Sequence, residues 1–295
     1  MSQLSVLYDA PGPRAVRRAR IGTILAILVF VGFLAVAAKR LNDRGQFASE
    51  LWSPWANPSD ENFSAVWELV GKGLAATLTA ATLAIVLSLV LGVLLGVGRL
   101  MLGPILRVPV VLWIELFRAL PVVVTIVLVW RAFKELKIDL GPLPGDPGLW
   151  YLVIGLTLYN SVIIAEILRA GVNSLPSGQG EAALAVGLTN GQTMRAILLP
   201  QAFRVMLPAL ISQLVVALKD TSLAAVVSLG YLELLRRGNL ISQNLDNPIQ
   251  SLLIIATIFI LINYALSKLA EYVERRMSRS SGDPAAAAQL EGAGA

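Results

Sequence analysis

The sequence contains no cysteine and no histidine. Without thiols there are no disulfides and no cysteine nucleophile. Without imidazole there is no Ser-His-Asp triad and no histidine-ligated haem, and together the two absences remove the usual zinc ligands. Charge is also scarce. Charged residues make up 15% of the chain, against about a quarter in soluble domains. No G-x-x-x-x-G-K-[ST] stretch occurs. Gly71-Lys72-Gly73 comes nearest and lacks both the spacing and the hydroxyl, so the chain has no phosphate-binding loop of its own. What is present is apolar: 56% hydrophobic residues and a mean hydropathy of +0.71. These values describe an all-α integral membrane protein. Its net charge of +5 reads as basic loops beside a bilayer, not as a nucleic-acid surface.

Residues 1–20 are polar and carry Arg14, Arg17, Arg18 and Arg20. A charge-free run over 21–38 follows and predicts a transmembrane helix anchored in lipid. A basic segment ahead of an apolar run also fits a signal peptide, and Ala35, Ala37 and Ala38 are the small residues a cleavage site uses. Residues 39–66 are polar, with Trp52 and Trp55 suited to the membrane interface. Ser59 or Asp60 is placed to cap a short helix over Asn62–Val70.

Further spans are expected at 73–98, 108–130, 149–169, 205–230 and 249–269. The first carries Gly92-x-x-x-Gly96, which either permits close helix packing or only reflects how common glycine is in such helices. Residues 131–148 and 231–247 read as loops, and 280–295 as a disordered tail. Six spans put both termini on one side. Lys and Arg are more numerous in the N-terminal segment, the 99–107 turn, the 169–204 segment and the C-terminus than in the opposite loops. The positive-inside rule then makes both termini, and residues 170–204, cytoplasmic.

That cytoplasmic stretch is the most informative part of the chain. Ala182, Ala183 and Ala185 are small and leave one helix face flat, so a groove on another protein can close over it. Glu181 is expected at a helix N-terminus, where its charge is favourable, or in reach of a cationic partner group. Gly187 ends or bends the first short helix. Pro200 cannot continue a hydrogen-bond ladder and is expected to separate this element from the next span.

Glu181-Ala182-Ala183-x3-Gly187-x9-Ile197-x-Leu199-Pro200 resembles the EAA loop of bacterial ABC importer membrane subunits at every fixed position. Three other segments resemble the polar amino-acid permeases within that class. They are Glu115-Leu116-Phe117-Arg118-x-x-Pro121, the run from Tyr159-Asn160-Ser161 to Ala165-Glu166-Ile167-Leu168-Arg169-Ala170-Gly171, and Ala217-Leu218-Lys219-Asp220-Thr221-Ser222-Leu223. Ala119-Leu120 and Ser161-Val162-Ile163 depart from the usual pattern. Val6–Pro13, with the additional first span, looks like the start of actinobacterial glutamate permease subunits.

The resemblance implies a five-helix importer core over 65–275, with one additional N-terminal transmembrane helix at 21–38. It implies a coupling helix at 181–200 that docks into a separate ATPase subunit. ATP and magnesium would be bound there, with no cofactor in this chain. It also implies an extracellular solute-binding protein, a second permease subunit, identical or homologous, and a bacterial plasma membrane. The transported solute would be a polar amino acid, glutamate first, with glutamine, aspartate, arginine or an opine as alternatives. A secondary transporter or a membrane-embedded enzyme is the rival class. Neither explains the EAA pattern.

Ionisable groups inside spans cost roughly 2.5–3.5 kcal/mol each and usually face the bundle interior. For Glu115, Glu166 and Arg169 the simplest reading is pairing at i, i+3 spacing: Glu115 with Arg118, Glu166 with Arg169. Lys219 and Asp220 either pair with one another or across helices, or line a path for a zwitterion with Thr221, Ser222 and Asn160. Arg118 is a candidate contact for a substrate carboxylate.

Overall fold

The computed structural model describes residues 12–279. The tail at 280–295 and most of the Val6–Pro13 segment lie outside them. Among the described residues every regular element is helical. Five helices are long and apolar enough to cross a membrane, or six if one bent pair counts as a span.

Helix α1 (Pro13–Asp43) is 31 residues long and buries none of them. Lipid can satisfy such a helix by itself, since its backbone groups are bonded internally. A short helix α2 (Ser49–Ala56) follows and contains Pro54. Trp55 is buried and stacks edge-on against Trp67, with ring centroids 6.0 Å apart. Gln250 Nε2 donates to Gln46 O at 2.5 Å, which ties this segment to the start of the last helix.

Helix α3 (Phe63–Met101) has 39 residues and is about 58 Å long at 1.5 Å per residue, well beyond the hydrocarbon thickness. The short helix expected over Asn62–Val70 is therefore its first two turns. Asp60 Oδ1 accepts from the Asn62 N–H at 2.8 Å just before them. Gly73, Thr77, Ala80, Ala81, Ala84, Ser88, Gly92 and Gly96 are all buried on this helix. A Cβ at Gly92 would lie 2.7 Å from Ile164 Cβ and 2.8 Å from Ser161 O. The two glycines thus mark close approach to the central helix, which decides between the two readings of their spacing.

The span expected at 108–130 is broken. Helices α4 (Pro104–Ala119) and α5 (Val122–Glu135) meet at a 111° bend. Pro121 has no N–H to donate, and it forces Leu120 into extended backbone (φ −85°, ψ 137°). Helix α6 (Pro147–Asn173) is the most buried span and packs on α3, α5 and α4. At Gly155 a Cβ would meet Ile126 Cα at 2.9 Å, which explains how α5 lies so close.

Helices α7 (Ser177–Ala185) and α8 (Asn190–Gln192), a π-helical turn (Thr193–Leu198) and α9 (Leu199–Asp220) follow. After a break at Thr221-Ser222 come α10 (Leu223–Val227), α11 (Leu234–Leu245) and α12 (Pro248–Arg279). The expected loop over 231–247 is largely α11. It buries Leu234, Gly238 and Ile241 against α3 and α12. Its N-cap, Glu233, accepts from Leu235 N at 2.7 Å and Arg236 N at 2.8 Å. Burial pushes the Glu233 carboxyl up to about 7, against the pull of those two donors.

Candidate functional site

Three groups of residues carry the sequence-based expectations. The first is the segment between α6 and α9. Helix α7 begins at Ser177, four residues before the expected start, so Glu181 sits in the second turn and not at the N-terminus. Ala183 is buried on the underlying turn, whereas Glu181, Ala182, Ala185 and Gly187 are exposed. Leu184 and Val186 are exposed too, Val186 at 79%. An apolar pair beside a carboxylate faces away from the bundle.

The end of α7 is built from two consecutive caps. Leu188 N donates to Ala183 O at 3.1 Å and Gly187 N to Leu184 O at 3.0 Å. This is the Schellman arrangement, and it requires the φ of +89° that Gly187 adopts. Thr189 then caps α8. Its Oγ1 accepts from Gln192 N at 3.3 Å, and Gln192 Oε1 accepts from Thr189 N at 2.8 Å. Thr-x-x-Gln is a capping box, a signal the sequence carries just beyond the EAA residues. The two adjacent caps join α7 to α8 with a single residue, Leu188, between them.

Pro200 does not separate this element from the span. It occupies the first turn of α9, and the helix runs through the π turn immediately before it. The wider π turn accommodates the proline ring, and Gln201 Nε2 donates to Ile197 O at 3.0 Å. Ile197 and Leu199 are half-buried there. The helical run from Asn190 through the π turn to Asp220 is unbroken, and with α10 it is long and apolar enough to cross a membrane.

The second group is ionic. Glu166 on α6 accepts from Arg99 on α3 in the shortest contact, with both side chains under 20% exposed. Arg169 reaches the same carboxylate through Nε and Nη2, each at 3.2 Å. Arg118 on α4 spans Glu115 and Glu166 at 3.4 Å each. Arg99 also approaches Glu115 at 3.5 Å. The i, i+3 contacts are present, but as parts of one cluster of three arginines and two glutamates that ties α3, α4 and α6. Arg99 is not in a turn: it lies in the last turn of α3, three residues after Gly96 and on the α6-facing stripe.

The third group lies deeper. Asn160 is buried; its Nδ2 donates to Leu156 O at 2.9 Å and its Oδ1 accepts from Gln213 Nε2 at 2.6 Å. Gln213 on α9 is thus an unforeseen partner. Thr221 Oγ1 donates to Leu218 O at 2.7 Å and Ser222 Oγ to Lys219 O at 2.8 Å. Both hydroxyls turn back on their own helix at the α9–α10 break. Lys219 is exposed and Asp220 half-buried, and no salt bridge joins them.

Residues 88–279 match the family described as "binding-protein-dependent transport system inner membrane component". The chain is 40% identical over 239 residues to the glutamate transport system permease protein GluD of Corynebacterium glutamicum, covering 80% of this chain and 83% of that one. It is 32% identical over 167 residues to the glutamate/aspartate import permease protein GltK of Escherichia coli, covering 56% and 73%. A crystal structure of an amino acid ABC transporter with histidines superposes with a TM-score of 0.65 at 27% identity, over 72% of this chain and 96% of that one. The inward-facing MetNI methionine ABC transporter shares the fold, with a TM-score of 0.54 at 20% identity over 72% and 94%.

Proposed function

The chain belongs to the binding-protein-dependent transport system inner membrane components and is an amino-acid ABC importer permease subunit, and from that premise we propose that its solute is glutamate. It is a multi-pass cell-membrane protein, a transport component and not an enzyme. The single observation that carries the substrate is the 40% identity, over 80% of the chain, to a glutamate permease. The glutamate/aspartate permease at 32% points the same way.

The roles of the individual parts follow from their chemistry. Helix α7, with Glu181, Ala182, Ala183 and Gly187, is the coupling element that docks on a separate ATPase subunit binding ATP and magnesium. Support comes from its exposed Leu184 and Val186 beside Glu181, and from the paired caps that join it to α9. Residues 65–275 form the transport domain. The arginines at 14–20 hold the N-terminus in the cytoplasm, and α7 lies on the same side. The α11 end then faces outward, where a solute-binding protein delivers glutamate. A second permease subunit completes the pathway.

The test is ATPase stimulation in proteoliposomes holding the permease, its ATPase and its binding protein. Glutamate should stimulate hydrolysis, with glutamine and arginine inactive at equal concentration. Stimulation by arginine or glutamine but not glutamate would overturn the substrate and leave the importer class standing.

A further inference from the structure

Helix α4 is weakly held. It has 16 residues, of which Ile114 alone is buried. Ile105, Leu106, Leu112 and Leu116 are exposed at 56–83%. Its buried apolar contact with the bundle, among the described residues, is a small cluster: Ile114 with Val162 and Ala165 of α6, flanked by Val110 and Phe117 of α4 and Leu95 of α3. Its far end is the Leu120-Pro121 break, a hinge whose extended residue carries no helical bond. In a bilayer its exposed apolar face meets lipid, as that of α1 does, so this cluster and the ionic contacts are what tie α4 to the bundle.

The ionic cluster divides along the same line. Arg99, Glu166 and Arg169 lock α3 to α6 through the shortest contact and a two-nitrogen fork, and the Arg99–Glu166 pair is the best shielded. Arg118 and Glu115, both on α4, join at 3.4–3.5 Å with side chains 44% and 52% exposed. One half is fixed and the other can let go. Glu166 lies seven residues before the end of α6, about 10 Å along the axis, and α7 starts four residues beyond that end.

We propose that Arg118 and Glu166 form a latch that holds α4 on α6, and that its release is a step of transport driven through α7. This rests on α7 being the coupling element. Glu166 and Arg99 are then positioning residues, and Arg118 is the part that moves. Displacement of α7 pulls the last turns of α6, takes Glu166 away from Arg118, and leaves Arg118 with Glu115 on its own helix. α4 then swings about Leu120-Pro121. The three arginines against two carboxylates keep a positive charge at the cluster throughout.

The absence of cysteine makes the test clean. Ile114→Cys with Ala165→Cys places two thiols in the apolar cluster that α4 and α6 share, leaving every charge in place. In the assembled importer in proteoliposomes, oxidation should cut ATP-dependent glutamate uptake by about fivefold or more, the low end of ordinary coupling energies. Reductant should restore it. Arg118→Gln should raise basal ATPase activity without substrate while uptake falls, and Arg118→Lys should recover part of the coupling, a pattern that simple misfolding does not give. Full uptake by the oxidised double variant, or equal loss of ATPase and uptake in Arg118→Gln, would overturn the latch. No ATP-dependent uptake by the unsubstituted importer would instead overturn the coupling role on which it rests.

Discussion

Gly92→Ala is the sharpest packing prediction. The added Cβ lands 2.7 Å from Ile164 Cβ and Cγ2 and 2.8 Å from Ser161 O. Ile164 is 1% exposed and β-branched, so it has no alternative rotamer in a helix to retreat to. The Ser161 carbonyl is α6 backbone and moves only with the whole helix. Overpacking of this kind costs typically 1–3 kcal/mol. The control lies on the same helix. Gly71 has nothing within 4 Å of its Cβ position, so Gly71→Ala should gain up to about 1 kcal/mol from lost backbone freedom. The two identical substitutions should therefore move stability in opposite directions. Thermal unfolding of the purified permease in detergent reads this, with Gly92→Ala melting a few degrees lower at roughly 2–4 °C per kcal/mol. If Gly92→Ala melts at or above the unsubstituted protein, the close approach of α3 and α6 is not the contact that organises the core.

Three further outcomes follow from the caps. Gly187→Ala should strain the φ of +89° by about 1–2 kcal/mol and uncouple uptake from hydrolysis without expelling the spans, read as uptake per ATP. Thr189→Ala removes the N-cap at about 1 kcal/mol, and amide exchange at 189–193 should rise while exchange in α6 stays unchanged. The Glu233 carboxyl is pushed up to about 7 from 4.5 by burial. A raised carboxyl favours the folded state when protonated, so the stability of the α11 start should fall as pH rises from about 4.5 through about 7. Exchange at Leu235 and Arg236, corrected for intrinsic rates, should show that slope, and Glu233→Gln should flatten it.

The spans were legible because long charge-free runs have no other stable home than the bilayer. The Gly92–Gly96 spacing left close packing and mere glycine abundance equally open, and only the approach of Ile164 and Ser161 decides for packing against α6. The break in the third span was also written in the chain, at Leu120-Pro121. Hydropathy averaged over it, because both halves are apolar. Helix α11 was hidden by its polarity, because Arg236, Arg237, Asn239 and Gln243 outweigh the Leu234, Gly238 and Ile241 that face the core. Pro200 misled because a proline usually ends a ladder, and the preceding π turn removed that constraint. The local charge pairs could be written down from i, i+3 spacing. That they converge on one carboxylate could not, since Arg99 lies 67 residues from Glu166 and only the α3–α6 crossing brings it there.

In the proposed function, α7 carries the work of a separate ATPase into the bundle. The most direct measurement is uptake of labelled glutamate into proteoliposomes holding the complete importer, with ATP supplied on the α7 side and binding protein on the other. The unsubstituted importer should accumulate glutamate only with ATP present, and Glu181→Lys should abolish accumulation while the permease still assembles in the membrane. Accumulation without the ATPase subunit, or undiminished in Glu181→Lys, would contradict it.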